Sequence, residues 1–132
     1  MFIDNIQTDL RGAALDWAIG VAESEWLDIT EDGLVQVGAI TPSGFAMYSP
    51  STDPLQGMPI IEREHISIVR HLMPNGEYYW WATKGDPLSF CGDYSGFYSG
   101  ETALISAMLA HVAYKLGNTI EVPDSLALIK GY

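Results

Sequence analysis

Between Tyr48 and His65 the chain reads YSPSTDPLQGMPIIEREH, where groups able to do chemistry are gathered on a backbone held by Pro50, Pro54, Pro59 and Gly57. Ser49, Ser51, Thr52 and Asp53 bring hydroxyls and a carboxylate that can bond a ligand or the local backbone. Glu62, Arg63, Glu64 and His65 follow an apolar pair. A metal site or a general acid/base pair could be assembled from the two glutamates and the histidine, but their spacing opposes it. On a strand Glu62 and Glu64 share a face and His65 points away; on a helix Glu62 and His65 stand at i,i+3, not at the i,i+4 spacing of a zincin histidine pair. His65, His71 and His111 belong to no HExxH or CxxC pattern, so neither a metal nor a cofactor is expected. The expected roles are structural: Arg63 pairing with a nearby carboxylate, Glu62 and Glu64 satisfying backbone donors of the loop.

Nucleophilic chemistry has less support. Cys91 has Gly92 and Asp93 beside it and no lysine or arginine nearby in sequence to lower its pKa. No serine lies in a GxSxG elbow, and there is no P-loop or GxGxxG. Binding features are richer. Tyr48, Tyr78, Tyr79, Trp80, Trp81, Phe90, Tyr94, Phe97 and Tyr98 concentrate in the middle of the chain among Ser, Thr and Asp, with Arg63, Arg70 and Lys84 as sources of positive charge. Aromatic faces can stack a base, and hydroxyls on a loop can hold a ribose or phosphate. On a strand Tyr79 and Trp81 share one face, Tyr78 and Trp80 the other, so part of the set belongs to the core. The candidate ligand-binding residues are therefore Tyr48, Ser49, Ser51, Thr52, Asp53, Glu62, Arg63, Glu64, Trp80 and Trp81, with no catalytic residue assigned.

At 132 residues and 48% hydrophobic content the chain is expected to be one domain, residues 1–132, with a real core. Its formal charge of −11 disfavours direct contact with nucleic acid. A lone cysteine forbids an internal disulfide and fits a reducing cytoplasm. Met1 to Asn5 lacks the basic start of a signal peptide, and no apolar run approaches the roughly 18 residues that span a bilayer, so no membrane partner is expected.

The elements that must position these groups follow from periodicity and punctuation. Thr8 is expected to cap a helix over Asp9 to Ser24, with Leu10, Ala13, Ala14, Trp17, Ala18 and Val21 on its buried face and Gly12 and Gly20 as points of close packing. Glu31-Asp32-Gly33 is a turn before a strand from Leu34 to Ile40, and Phe45 to Tyr48 is a short extended piece. Pro59 can open a short helix reaching His65, or Ile60 to Leu72 can be strand; periodicity leaves both open. Pro74-Asn75-Gly76 is a turn, with Tyr78 to Thr83 as a strand able to form a hairpin with residues 66–72. Gly85 to Gly100 reads as an ordered loop, Thr102 caps a helix over Ala103 to Leu116, and Ile120 begins an extended piece that turns into a short helix behind Pro123. The fold class is α+β, two main helices packed on a small, mostly antiparallel sheet.

Four stretches in this order, LRGAALDWAIGVAE, YSPSTDPLQGMPIIERE, ETALISAMLAHVAYKLG and IEVPDSL, resemble the NinX-like proteins of tailed bacteriophages. Two positions depart from the family pattern: Pro54 stands where an aromatic commonly follows the Asp, and Ala103 where a proline commonly follows the capping Thr. The resemblance implies a phage accessory protein in the bacterial host cytoplasm and implies no activity. Joined to the binding features, it leads to an expected non-enzymatic binder that sequesters a small nucleotide-type immune signal of the host. The alternative partner is a host protein, blocked by an acidic mimic of nucleic acid; a Glu-dependent hydrolase ranks last. The many aromatics needing cover leave self-association as a homo-oligomer open.

Overall fold

A computed structural model describes residues 1–38, 46–85 and 96–126. Two helices dominate. α4, Ala103–Leu116, lies where expected: Thr102 Oγ1 accepts the Ile105 amide at 3.1 Å and Gly117, at φ 93°, ends it. The N-terminal helix is instead two pieces, α1 (Ile6–Asp9) and α2 (Gly12–Ala22). Asn5, not Thr8, caps α1 through its side chain to the Gln7 amide. Leu10 and Arg11 are extended, and Gly12 takes φ 61°, which glycine adopts at little cost. The Arg11 guanidinium holds this break together, donating to the Gln7 and Leu10 carbonyls and pairing with Glu101 at 3.0 Å. The expected buried face holds at Leu10, Ala13, Ala14 and Ala18 and differs at its margins. Leu15, Asp16 and Ile19 are buried, Trp17 is half-buried and Val21 is exposed.

Among the described residues the strands β1 (Phe2–Ile3), β2 (Leu27–Ile29), β3 (Val35–Val37), β4 (Ala46–Met47), β5 (Ile66–Leu72), β6 (Tyr78–Lys84), β7 (Tyr98–Gly100) and β8 (Ile120–Glu121) form three antiparallel sheets, β1-β8, β2-β3-β4 and β5-β6-β7. The α+β class thus holds, with the strands divided. α4 packs on β5-β6-β7, α2 packs on β2 and β3, and the two helices pack on each other. Their meeting faces, with Leu15, Ile19, Met108, Leu109 and Val112, are the centre of the hydrophobic core. The expected packing of Gly20 is present, against the Leu27 side chain. The β5–β6 hairpin is as expected, in the register Ile66↔Lys84 to Leu72↔Tyr78, closed over Asn75-Gly76 with Gly76 at φ 88°. The expected loop Gly85–Gly100 is corrected at its end, where Tyr98–Gly100 is strand because it completes the sheet over α4.

The open choice between helix and strand for Ile60–Leu72 resolves into both. Helix α3 runs Pro54–Arg63, and the chain turns at His65 (φ 55°) into β5. Pro54, not Pro59, supplies the helix start; Pro59 lies inside α3. Behind Pro123, Leu126 N–H reaches the Pro123 carbonyl in a turn. The remainder of that expected helix, Ala39, Ile40, Phe45, Phe90, Cys91 and Tyr94 lie outside the described residues.

Candidate functional site

The Tyr48–His65 stretch is a turn that launches α3, and several of its polar groups bond within it. Asp53 Oδ1 caps the helix by accepting the Leu55 amide at 3.0 Å, and proline at the next position has no amide to leave unsatisfied. The Gln56 side chain accepts the Ser49 amide at 2.6 Å and donates to the Met47 carbonyl at 2.9 Å, tying α3 back to β4. Thr52 Oγ1 reaches the Ser49 carbonyl. Gly57 sits where a Cβ would lie 2.5 Å from the Pro50 carbonyl oxygen and 2.5 Å from Leu104, so the turn and α4 close around a bare backbone.

Ser51 anchors the turn to the core. Its amide donates to Asp16 Oδ1 of α2 at 2.9 Å, and both residues are buried. The Ser51 hydroxyl has no hydrogen-bond partner among the described residues. Burial pushes the Asp16 carboxyl up to about 6 against the pull of Ser51. Half-buried Tyr48 lies close by, its hydroxyl raised well above the usual range by burial and then by Glu23, Glu25 and Asp16.

At the C-terminal ends of α2 and α3 lies a second cluster, of mixed charge. Arg63, Lys84 and Lys115, from α3, β6 and α4, converge on Glu64, at 2.8, 3.5 and 3.4 Å. The Arg63 guanidinium beside Glu64 leads the effects that hold its carboxyl down at about 2, so Glu64 stays ionised and is unsuited to general acid/base work. Arg63 also reaches Glu23 at 2.7 Å, and Glu23 meets Nε2 of buried His111 at 3.1 Å. Burial lowers the His111 pKa even though Glu23 opposes it, so at neutral pH His111 is uncharged. Three cations therefore stand against two carboxylates. Lys84 Nζ lies 5.0 Å from the centre of the exposed Tyr114 ring, and Tyr114 with Gly96, Tyr98 and Ala113 lines a cleft of about 270 Å³.

Of the sequence-based candidates, Tyr48, Ser49, Ser51, Thr52 and Asp53 do come together, as a helix-launching turn. Arg63 and Glu64 meet in the charge cluster; the expected carboxylate pairing of Arg63 is present, while the side chain of Glu64 meets cations in place of backbone donors. Glu62 is exposed on α3 and bonds no loop donor among the described residues either. Trp80 and Trp81 fall on opposite faces of β6, as alternation requires. Trp80 shares the α4 side with Ala82, and Trp81 lies on the other with His71 and Phe97, at ring separations of 5.5 and 6.3 Å. Asp16, Glu23, His111 and Lys115 escaped the sequence reading. Asp16 on α2 and Glu23 at its C-cap are seven apart, a spacing that places two acids on the same side, and His111 and Lys115 are four apart on α4; neither pattern shows that the faces meet. Among the described residues no group of three His, Cys, Asp or Glu could hold a metal, and no helix is long and apolar enough to cross a membrane.

No curated protein matches the chain. The family model described as Bacteriophage P22, NinX matches residues 7–115, from α1 to the last turn of α4, taking in the turn, α3, the charge cluster and the sheet under α4. The IEVPDSL stretch lies beyond the match. With most of its length and every element around the cluster inside that match, the chain belongs to the NinX family of bacteriophage proteins.

Proposed function

We propose that this phage accessory protein is a non-enzymatic binder that acts in the host cytoplasm by sequestering a small nucleotide-type signal of the host's defence. The observation that supports the reading is the convergence of three of the six basic residues, Arg63, Lys84 and Lys115, in a chain of formal charge −11. Phosphate would exchange with Glu64 for the two lysines, whose pairs with it are long, and a base would stack on Tyr98 or Tyr114 in the adjoining cleft. The turn at Ser49–Asp53 forms the wall that fixes α3, and through it Arg63. Purified protein incubated with a panel of cyclic oligonucleotides is expected to melt at higher temperature with its ligand. Joint replacement of Lys84 and Lys115 by Ala is expected to abolish that shift. A flat response across the panel, with all nucleotide recovered free, overturns the reading.

A second reading, an acidic inhibitor of a host protein, is favoured by a different observation. Residues 12–62 contain no lysine or arginine, and Glu25, Asp28, Glu31 and Asp32 lie near Trp26 in sequence, itself 83% exposed. A stoichiometric, salt-sensitive partner lost on Trp26→Ala in the same preparation would select it over nucleotide binding.

A further inference from the structure

The two edges of the β5-β6-β7 sheet are finished differently. Along β7 the Gln7 side chain acts as a short neighbouring strand, its amide donating to the Ser99 carbonyl at 2.6 Å and its oxygen accepting the Ser99 amide at 2.9 Å. Along β5 no strand among the described residues pairs with the outer edge. The phase of the hairpin shows which groups face outward. Gly85 N–H bonds the His65 carbonyl and Met73 N–H bonds the Glu77 carbonyl, so the alternation makes Ser67, Val69 and His71 the residues that exchange bonds with β6. Ile66, Ile68, Arg70 and Leu72 then direct their amides and carbonyls to the open side. Past Ile66 this edge is accessible: Val69 is 38% and Leu72 54% exposed. An edge strand of this length with β-branched residues is a template for further pairing.

We propose that β5 pairs antiparallel with β5 of a second copy, about a two-fold axis between Val69 and its mate, so that two three-stranded sheets become one continuous sheet. In this register Ile68 exchanges bonds with Arg70 of the second copy and Ile66 with Leu72, while Val69 faces Val69 in a non-bonded pair. All four outward residues are used. A shift of two residues one way sets Arg70 against itself, which like charge disfavours, and a shift the other way leaves Leu72 without a strand residue opposite. Self-complementarity of this kind is what a two-fold contact requires. Charge points to the same occupant: β5 contains no acidic residue, and Arg70 and His71 are its ionisable groups, so in a chain of charge −11 it is a place where two copies approach with reduced repulsion. Because the net charges still repel, the dimer is strengthened by added salt, opposite to a contact made of ion pairs.

Sedimentation equilibrium and native mass spectrometry test this on the whole chain. The wild type is expected at twice the 14.5 kDa chain mass, increasingly so with salt. Arg70→Pro removes an outward amide and no bond to β6, so it is expected to give a monomer with an unchanged circular dichroism spectrum. Independently of how that variant folds, Val69→Cys in a Cys91→Ser background is expected to oxidise to a covalent dimer, and His71→Cys in the same background is not. A wild type that stays monomeric at high concentration and high salt overturns the proposal, as does a dimer that Val69→Cys fails to cross-link; a monomer whose β5 edge instead takes up an added extended peptide assigns the edge to another protein.

Discussion

Asp16 is the residue at which burial and charge conflict most openly. Its carboxyl is raised from 3.8 to about 6, so the folded state binds its proton more tightly than the unfolded chain does. The stabilisation by the neutral form is complete below about pH 4 and is lost as pH rises through 6. A shift of about 2 units corresponds to roughly 3 kcal/mol. Asn at this position keeps an oxygen for the Ser51 amide and never ionises. Asp16→Asn is therefore expected to match the wild type near pH 4 and to exceed it by about 2 kcal/mol at pH 7, read from denaturant melts at both values. A difference that does not change with pH would show that Asp16 is not raised. His111 works in the opposite sense: its lowered pKa means that acid pulls protons onto the unfolded chain first, and stability falls as pH drops below about 6.5.

At the scale of the element, helix starts carry the site. Asp53 followed by Pro54 is a cap with proline at the first helical position, a signal present in the sequence, yet the same carboxylate fits a ligand loop equally well until the amide it meets is known. Asp53→Ala is expected to cost about 1 kcal/mol, the usual loss of a cap, while leaving any nucleotide-induced melting shift in place. Loss of the shift with no loss of stability would return Asp53 to the ligand. Thr102 and α4 were legible because cap, apolar stripe and terminal glycine agree over the same residues. The N-terminal helix was not: its stripe runs past Gly12 without interruption, and the break depends on Arg11 finding Glu101, ninety residues away in sequence. Alternation was enough to separate the faces of Trp80 and Trp81, while periodicity left residues 60–72 open between helix and strand, so the pairing of β5 with β6 came from the structure.

For the whole molecule the acidic excess is the governing quantity. Arg11 and Arg63 are tied to carboxylates at 3.0 Å or less and the two lysines lie near Glu64, while Asp28, Glu31, Asp32 and Glu77 are exposed without an ion pair among the described residues. Self-repulsion among the unpaired acids is expected to outweigh these few pairs. The melting temperature is expected to rise from low to moderate sodium chloride, and a fall would mean that the ion pairs dominate. The sequence by itself determined the α+β class, the capped C-terminal helix and the family, since each rests on neighbours in the chain or on a periodic pattern that local geometry obeys. Only the tertiary structure decided that the hydroxyl-rich turn is bonded to itself and to Asp16, and that Glu23, Arg63, Glu64, Lys84, His111 and Lys115 form one cluster. Those groups come from four elements, and which helix faces meet is set by packing of the whole core, a long-range condition that no local spacing encodes.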